Sequence, residues 1–256
     1  MRLLFAALYL LQSPFRRVER PDLHAGLDTL YGGGFPAAAV YFADLAVRDT
    51  QDLAAVTFEA SAYIWWAAAL ENDGYEAARI DSLLELAVGR AHAAAPSPTR
   101  DFWLATALGY RARQRDLHGH SWGAVKDGKA MRDAYARVLA ADSSCSDCYL
   151  GLGVYQYGLA RAGALARLVA KIIGLGSGNA ERGIGYLRRA TTEGDLARVE
   201  AAWVLAAVLE REARRDPAQR AALERDARET VERLAARYPG NPVFQRFLRQ
   251  VPPSPS

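Results

Sequence analysis

Cysteine and histidine are both scarce in this sequence. Cysteine occurs only as Cys145 and Cys148 among the 256 residues, and there are only four histidines. Two cysteines exclude a disulfide framework as the basis of the fold, although this pair can form a disulfide within one turn if the chain is exported. A structural zinc site needs four ligands, so the supply for a metal centre is also poor. We expect no metal and no other cofactor.

An excess of charge of one sign is also absent. The chain carries 32 basic and 29 acidic residues, for a net charge of +3. Proteins that bind nucleic acids usually concentrate positive charge on one face or stripe, so we expect no nucleic-acid partner. The 51% of apolar and 24% of charged residues are typical of a chain with a substantial core rather than of a disordered one.

Long apolar runs are missing beyond the start of the chain. No later stretch approaches the roughly 20 apolar residues of a membrane-spanning helix. Residues 1–19 contain an unbroken apolar run from Leu3 to Leu11, which is interpreted either as a secretory signal peptide or as an apolar helix that packs on the rest. The first interpretation implies a periplasmic or envelope-associated protein and the second a cytoplasmic one. Residues 251–256 contain three prolines, and we expect a disordered tail there.

Between residues 20 and 250 the pattern predicts one helix after another and no strands. After the turn at 32–34, Phe35, Ala38, Phe42 and Leu45 recur at the spacing of one helix face. Serine or asparagine directly before proline, as at Ser97–Pro98 and Asn241–Pro242, predicts a capped helix start. Gly74 is expected to end a long helix in the left-handed conformation.

These anchors resemble the tetratricopeptide repeat, a helical hairpin with a period near 34 residues. The matching residues are Gly33, Phe35, Ala38, Phe42 and Leu45 for a turn and second helix, Tyr149, Leu152 and Gly153 for a first helix, and Ala227, Val231, Leu234 and Pro239 for a second helix and its closing proline. The resemblance implies an all-α fold, a TPR-like α-solenoid of about five antiparallel helix hairpins plus a terminal helix. The middle hairpins look longer than the usual period.

The resemblance also implies a role. In the family, first helices line a concave groove that usually binds a peptide or a partner protein. Aromatic and arginine side chains dominate such binding sites, although aromatic side chains also pack between hairpins. We expect a non-catalytic protein–protein interaction scaffold, whose partner the sequence does not identify. The expected groove residues are Trp65, Tyr110, Arg113, Val154, Tyr157, Trp203 and Arg211.

An apparent insertion at 159–176 supports an alternative function. Leu165, Leu168 and Ile172 form an apolar stripe, and Arg167 and Lys171 lie opposite. A cationic amphipathic helix of this kind can lie on a membrane surface, which would make the chain an envelope-associated helical protein that contacts lipid. The same helix can instead cap the groove or pack on the array, and we favour that interpretation.

Three local motifs resemble catalytic, nucleotide-binding or metal sites but lack the surroundings that such sites need. The Gly-x-Ser-x-Gly match at 119–123 lacks the strand-to-helix elbow that activates such a serine, and the glycine-rich loop at 174–183 lacks the preceding strand of a dinucleotide site. We interpret the second as a turn in which Ser177 or Asn179 caps the next helix. His118 and His120 with Asp116 are interpreted as exposed loop residues. Because no other catalytic arrangement is visible, we do not expect an enzyme.

Overall fold

The computed structural model describes residues 20–163 and 175–251. The possible signal peptide or apolar helix at 1–19 lies outside the described residues. So do the stripe containing Leu165, Arg167, Leu168, Lys171 and Ile172, and the tail from residue 252 onward. Val251, the first residue of the expected tail, packs against the core.

The part of the chain that the structure describes forms eleven helices and no strand. In chain order these are α1 (Pro21–Tyr31), α2 (Phe35–Arg48), α3 (Leu53–Ala69), α4 (Ala77–Ala93), α5 (Pro98–Leu117), α6 (Ser121–Ala141), α7 (Cys148–Arg161), α8 (Ala180–Glu193), α9 (Arg198–Arg215), α10 (Arg220–Arg237) and α11 (Pro242–Gln250). Each helix packs against the next one along the chain. The all-α prediction is therefore confirmed.

The predicted helix starts have the expected caps. The Ser97 side chain accepts a hydrogen bond from the backbone N–H of Arg100 at 3.0 Å, and Pro98 occupies the first helical position. Asn179 caps α8 in the same way, by accepting from the N–H of Arg182 at 2.7 Å. These side chains satisfy backbone donors that have no partner within their helices.

One expected helix stop is wrong in its details. α3 ends at Ala69, and the left-handed conformation falls on Glu71 (φ 52°) and Glu76 (φ 51°) rather than on Gly74. The Asn72 side chain instead accepts a hydrogen bond from the N–H of Gly74 at 3.1 Å. The connection between α3 and α4 is thus organised by this local asparagine turn.

Helix α3 is the centre of the packing. Every residue from Leu53 to Trp65 is buried, as is typical of a helix that is covered on all sides. It contacts its chain neighbours α2 and α4, and also α1, α5 and α11. The odd-numbered helices α1, α3, α5, α7 and α9 contact one another in succession. We call the side on which these five helices and α11 meet the inner face.

The two ends of the described chain meet. The Asn241 side-chain amide donates a hydrogen bond to the carbonyl oxygen of Tyr31 at 2.9 Å. The Tyr238 hydroxyl donates to the Asp28 carboxylate at 2.7 Å. Contacts of α11 with α3 extend this junction. The helices therefore close on themselves, which their local periodicity did not predict.

Gly33 is required at this junction. Its φ is +93°, and a Cβ atom at this position would lie 2.6 Å from the carbonyl oxygen of Gly240. Residues other than glycine adopt this conformation only with strain. The turn after α1 can therefore approach the turn before α11 only if residue 33 has no side chain.

We expect Gly33→Ala to lower the free energy of unfolding by about 2 kcal/mol, because it adds backbone strain and a clash with Gly240. Gly89→Ala is the matched control. Gly89 is exposed within α4, and a Cβ atom added there would have no neighbouring atom within 4 Å, so alanine should stabilise by about 0.5–1 kcal/mol. Urea unfolding of both variants measures the difference. Equal effects of the two substitutions would contradict a tight junction at residue 33.

Candidate interaction surface on the inner face

A small cavity lies on the inner face between α3, α5, α7 and α9. Its volume is about 30 Å³, and its lining includes Phe58, Trp103, Tyr110, Leu150 and Glu200. One water molecule occupies roughly 10–15 Å³ on this measure, so the cavity has room for about two waters. In this conformation the space does not admit an organic substrate or a peptide side chain of appreciable size.

Tyr110 and Glu200 form a polar contact at this cavity. The Tyr110 hydroxyl donates a hydrogen bond to Glu200 Oε2 and accepts one from Ser61 Oγ at 3.2 Å. Burial raises the pKa of Glu200 above its ordinary value, and the Tyr110 hydrogen bond and the charge of Arg113 offset only part of this effect. Burial, together with the Glu200 charge, also raises the pKa of Tyr110 well above its ordinary value.

A second tyrosine–glutamate contact joins α7 to α9. The Tyr157 hydroxyl donates to Glu212 Oε1 at 2.9 Å, and Arg161 Nε donates to the same oxygen at 2.9 Å. Burial alone would raise the pKa of Glu212, but the hydrogen bonds from Arg161 and Tyr157 hold it below its ordinary value. Glu200 and Glu212 thus differ because Glu212 has the Arg161 guanidinium in direct contact and Glu200 has no such contact within the described part of the chain.

Aromatic rings form the third contact of the inner face. The ring centroids of Trp65 and Trp203 are 6.1 Å apart. Phe244 of α11 contacts both rings, at 5.8 Å from Trp65 and 5.7 Å from Trp203. Phe247 lies 5.6 Å from Trp203. The chain's own terminal helix therefore covers these two predicted groove residues.

The predicted groove residues divide by exposure. Trp65, Tyr110 and Tyr157 are buried, and Trp203 is half-buried. The structure brings Trp65 and Trp203 together, and it places Arg113 and Tyr110 near Glu200. Arg211 lies close enough to Tyr157 to affect its pKa. The exposed members of the set are Arg113, Val154 and Arg211.

Asp147 is a structural residue that the sequence pattern did not reveal. Its carboxylate accepts hydrogen bonds from the backbone N–H groups of Asp195, Leu196 and Ala197, at 2.5, 3.3 and 3.3 Å. It thus anchors the turn that leads into α9 from a position 48 to 50 residues earlier in the chain. In the sequence, an aspartate before Cys148 indicates only a local helix start, and no local signal points to the distant partner.

The loop that carries Asp147 is closed by a disulfide. Cys145 and Cys148 are bonded to each other, and both are buried. The structure therefore has the disulfide that the spacing of the two cysteines allows. Cys145 and Cys148 lie on either side of Asp147 in sequence. Their disulfide therefore restricts the loop that carries the Asp147 carboxylate.

The weaker motifs lie away from the inner-face cavity. Ser121 is the first residue of α6 and is exposed, and it follows a helix rather than a strand. His118 and His120 are exposed, as expected. Within residues 20–163 and 175–251 no group of three or more histidine, cysteine, aspartate or glutamate residues is arranged to hold a metal ion.

Comparisons with known proteins add no relative. No family model matches this chain, and neither a curated protein nor a solved structure matches it. Over the same described ranges, none of the helices combines the length and the apolar character needed to cross a membrane.

We expect Asp147→Ala to destabilise the fold by about 1–2 kcal/mol, because the backbone N–H groups of the turn before α9 lose their acceptor. Asp73→Ala is the control, since Asp73 is exposed in the connection between α3 and α4. Thermal and urea unfolding measure both changes. If Asp147→Ala and Asp73→Ala had the same small effect on stability, the role of Asp147 as an acceptor for the turn before α9 would be contradicted.

Glu200→Gln should change the pH dependence of stability. A raised pKa in the folded state means that Glu200 contributes stability at low pH and that this contribution is lost as pH rises through the folded-state pKa. Glutamine still accepts the Tyr110 hydrogen bond but cannot ionise. The variant should match the wild type at low pH and become progressively more stable than it as pH rises toward 8.

Urea unfolding at successive pH values from 4 to 8 tests this expectation. The control is Glu229→Gln, because Glu229 is exposed on α10. A stability difference between Glu200→Gln and wild type that does not vary with pH would contradict the assignment.

Proposed function

We propose that this protein is a non-catalytic protein–protein interaction scaffold. In this proposal the eleven helices form a TPR-like α-solenoid of about five hairpins plus a terminal helix, and the inner face contacts a peptide or protein partner. The sequential pairing of helices and the succession of odd-numbered helices on one face support it.

One observation carries the proposal. Arg113, Val154 and Arg211 are exposed on α5, α7 and α9, three odd-numbered helices that follow one another on the inner face. Val154 is 43% exposed, so its apolar side chain is available to a partner. Two guanidinium groups with an apolar side chain on the intervening helix suit a partner segment that combines carboxylates with an apolar residue.

The buried contacts support this surface from below. Tyr110, one turn before Arg113, is fixed by Glu200, and Tyr157, one turn after Val154, is fixed by Glu212. These contacts hold α5, α7 and α9 at set positions relative to one another. A surface whose backbone is already ordered loses less conformational entropy when a partner binds.

A charge-reversal experiment tests this surface. We expect Arg113→Glu/Arg211→Glu to reduce recovery of specific partners at least about tenfold in affinity purification from the source cells, because two favourable contacts become repulsive. The control is Arg48→Glu/Arg225→Glu, which makes the same change in net charge at two exposed arginines of α2 and α10. Thermal unfolding first establishes that both double variants are folded.

Selective loss with the inner-face variant supports the proposal. The proposal would be contradicted by equal partner recovery with the two double variants. It would also be contradicted if the wild type recovered no more partner than an unrelated protein does.

A further inference from the structure

Helix α11 has the character of a bound ligand. It spans only Pro242–Gln250 and places Phe244 and Phe247, one turn apart, on the inner face. Phe244 is fully buried between Trp65 and Trp203. An amphipathic helix that inserts aromatic side chains into an apolar site is a common mode of peptide recognition.

Polar groups hold the same helix in register. Arg246 lies between the two phenylalanines in sequence and donates hydrogen bonds to the carbonyl oxygens of Ala68 at 2.6 Å and Ala69 at 3.3 Å. Its Nε atom is 3.2 Å from the Glu71 carboxylate. The last carbonyl groups of a helix have no partner within it, so Arg246 satisfies the end of α3. Aromatic and polar contacts therefore specify one orientation of α11.

The attachment of α11 allows it to leave. The connection from Tyr238 to Asn241 joins it to α10 and is itself anchored by the Tyr238–Asp28 and Asn241–Tyr31 hydrogen bonds, so only α11 has to move while this junction stays in place. At nine residues α11 is the shortest of the described helices, and an element with few buried contacts opens with a smaller free energy than the whole fold. Departure of α11 would uncover Trp65, Trp203 and the carbonyl groups at the end of α3 together.

The geometry points to a helix-binding site on α3 and α9 that α11 occupies when no partner is present. The partner it fits is an amphipathic helix with aromatic side chains at positions i and i+3 and an arginine at i+2, the arrangement of Phe244, Arg246 and Phe247. The partner binds by displacing α11. This inference rests on the proposed scaffold function and names the partner class for one part of the inner face.

A peptide of residues 240–251 is the probe for this site. Its affinity is measured by fluorescence anisotropy with the full chain, with Arg246→Ala and with Phe244→Ala/Phe247→Ala. The control peptide carries serine at both phenylalanine positions. Weakening α11 increases the fraction of open chains, so apparent affinity should rise in proportion. We expect binding at least about tenfold tighter to Arg246→Ala than to the wild type, and tighter again to the double variant.

Arg246→Ala decides the outcome if the double variant does not fold, since it removes one half-buried side chain rather than two buried rings. Equal affinity of the peptide for all folded chains, no binding, or equal binding of the control peptide would each overturn the site. If the Arg246→Ala chain formed a dimer and did not bind the peptide, the site would be occupied by α11 of a second copy. That result would also overturn the proposal of a separate partner helix.

Failure here is distinguishable from failure of the scaffold function. The Arg113→Glu/Arg211→Glu substitutions leave all the α11 contacts named above in place, so a chain that carries them together with Arg246→Ala should still bind the peptide. If partners are recovered in an Arg113- and Arg211-dependent manner but no chain binds the peptide, only the α11 site is refuted.

Discussion

The burial of α3 on every side is the constraint on which the rest of the structure depends. Most sides of α3 are apolar and must be covered, because an uncovered side would leave apolar surface in water. Its few polar side chains are buried with them, and Glu59 is paired with Arg79. The neighbours of α3 in sequence, α2 and α4, cover only part of its surface. Helices α1 and α5 cover further parts. The remaining side is reached by α11, from the other end of the chain. Closure of the helices on themselves therefore follows from the composition of one helix.

Helix α9 supplies the carboxylates that hold α5 and α7 in place on the inner face. Glu200 and Glu212 each accept a tyrosine hydroxyl, one from α5 and one from α7. The same residue type behaves differently at the two positions, because the Arg161 guanidinium compensates burial at Glu212 and nothing so close does so at Glu200. The Tyr157–Glu212 contact is thereby stabilised by the Arg161 charge, and the Tyr110–Glu200 contact mainly by packing and its hydrogen bond. Both set the distance between helices that the exposed side chains require.

The local features of this fold could be predicted from the sequence, and the long-range ones could not. Ser97–Pro98 and Asn241–Pro242 start helices as expected, because capping depends on residues within one turn. The face of α2 that carries Phe35, Ala38 and Phe42 is buried for the same reason. Periodicity indicates which face of a helix is apolar, but it does not say which element covers that face.

The candidate site shows this limit most clearly. Trp65 and Tyr157 lie where the register of the repeat predicts groove residues, yet α9 and α11 cover them. Asp147 is missed entirely, because its role depends on a backbone segment 48 residues away. Arg113, Val154 and Arg211 keep the exposure that a binding surface requires, and their role remains a prediction.

The junction between Asp28 and Tyr238 also governs the order in which the molecule can be made. These residues are 210 positions apart, and contacts of such separation form slowly because a long loop must be closed first. During synthesis the ribosome releases α3 long before it releases α11. For that interval the nascent chain presents the ring of Trp65 without its eventual cover. Translation itself thus passes through the open form of the inner face.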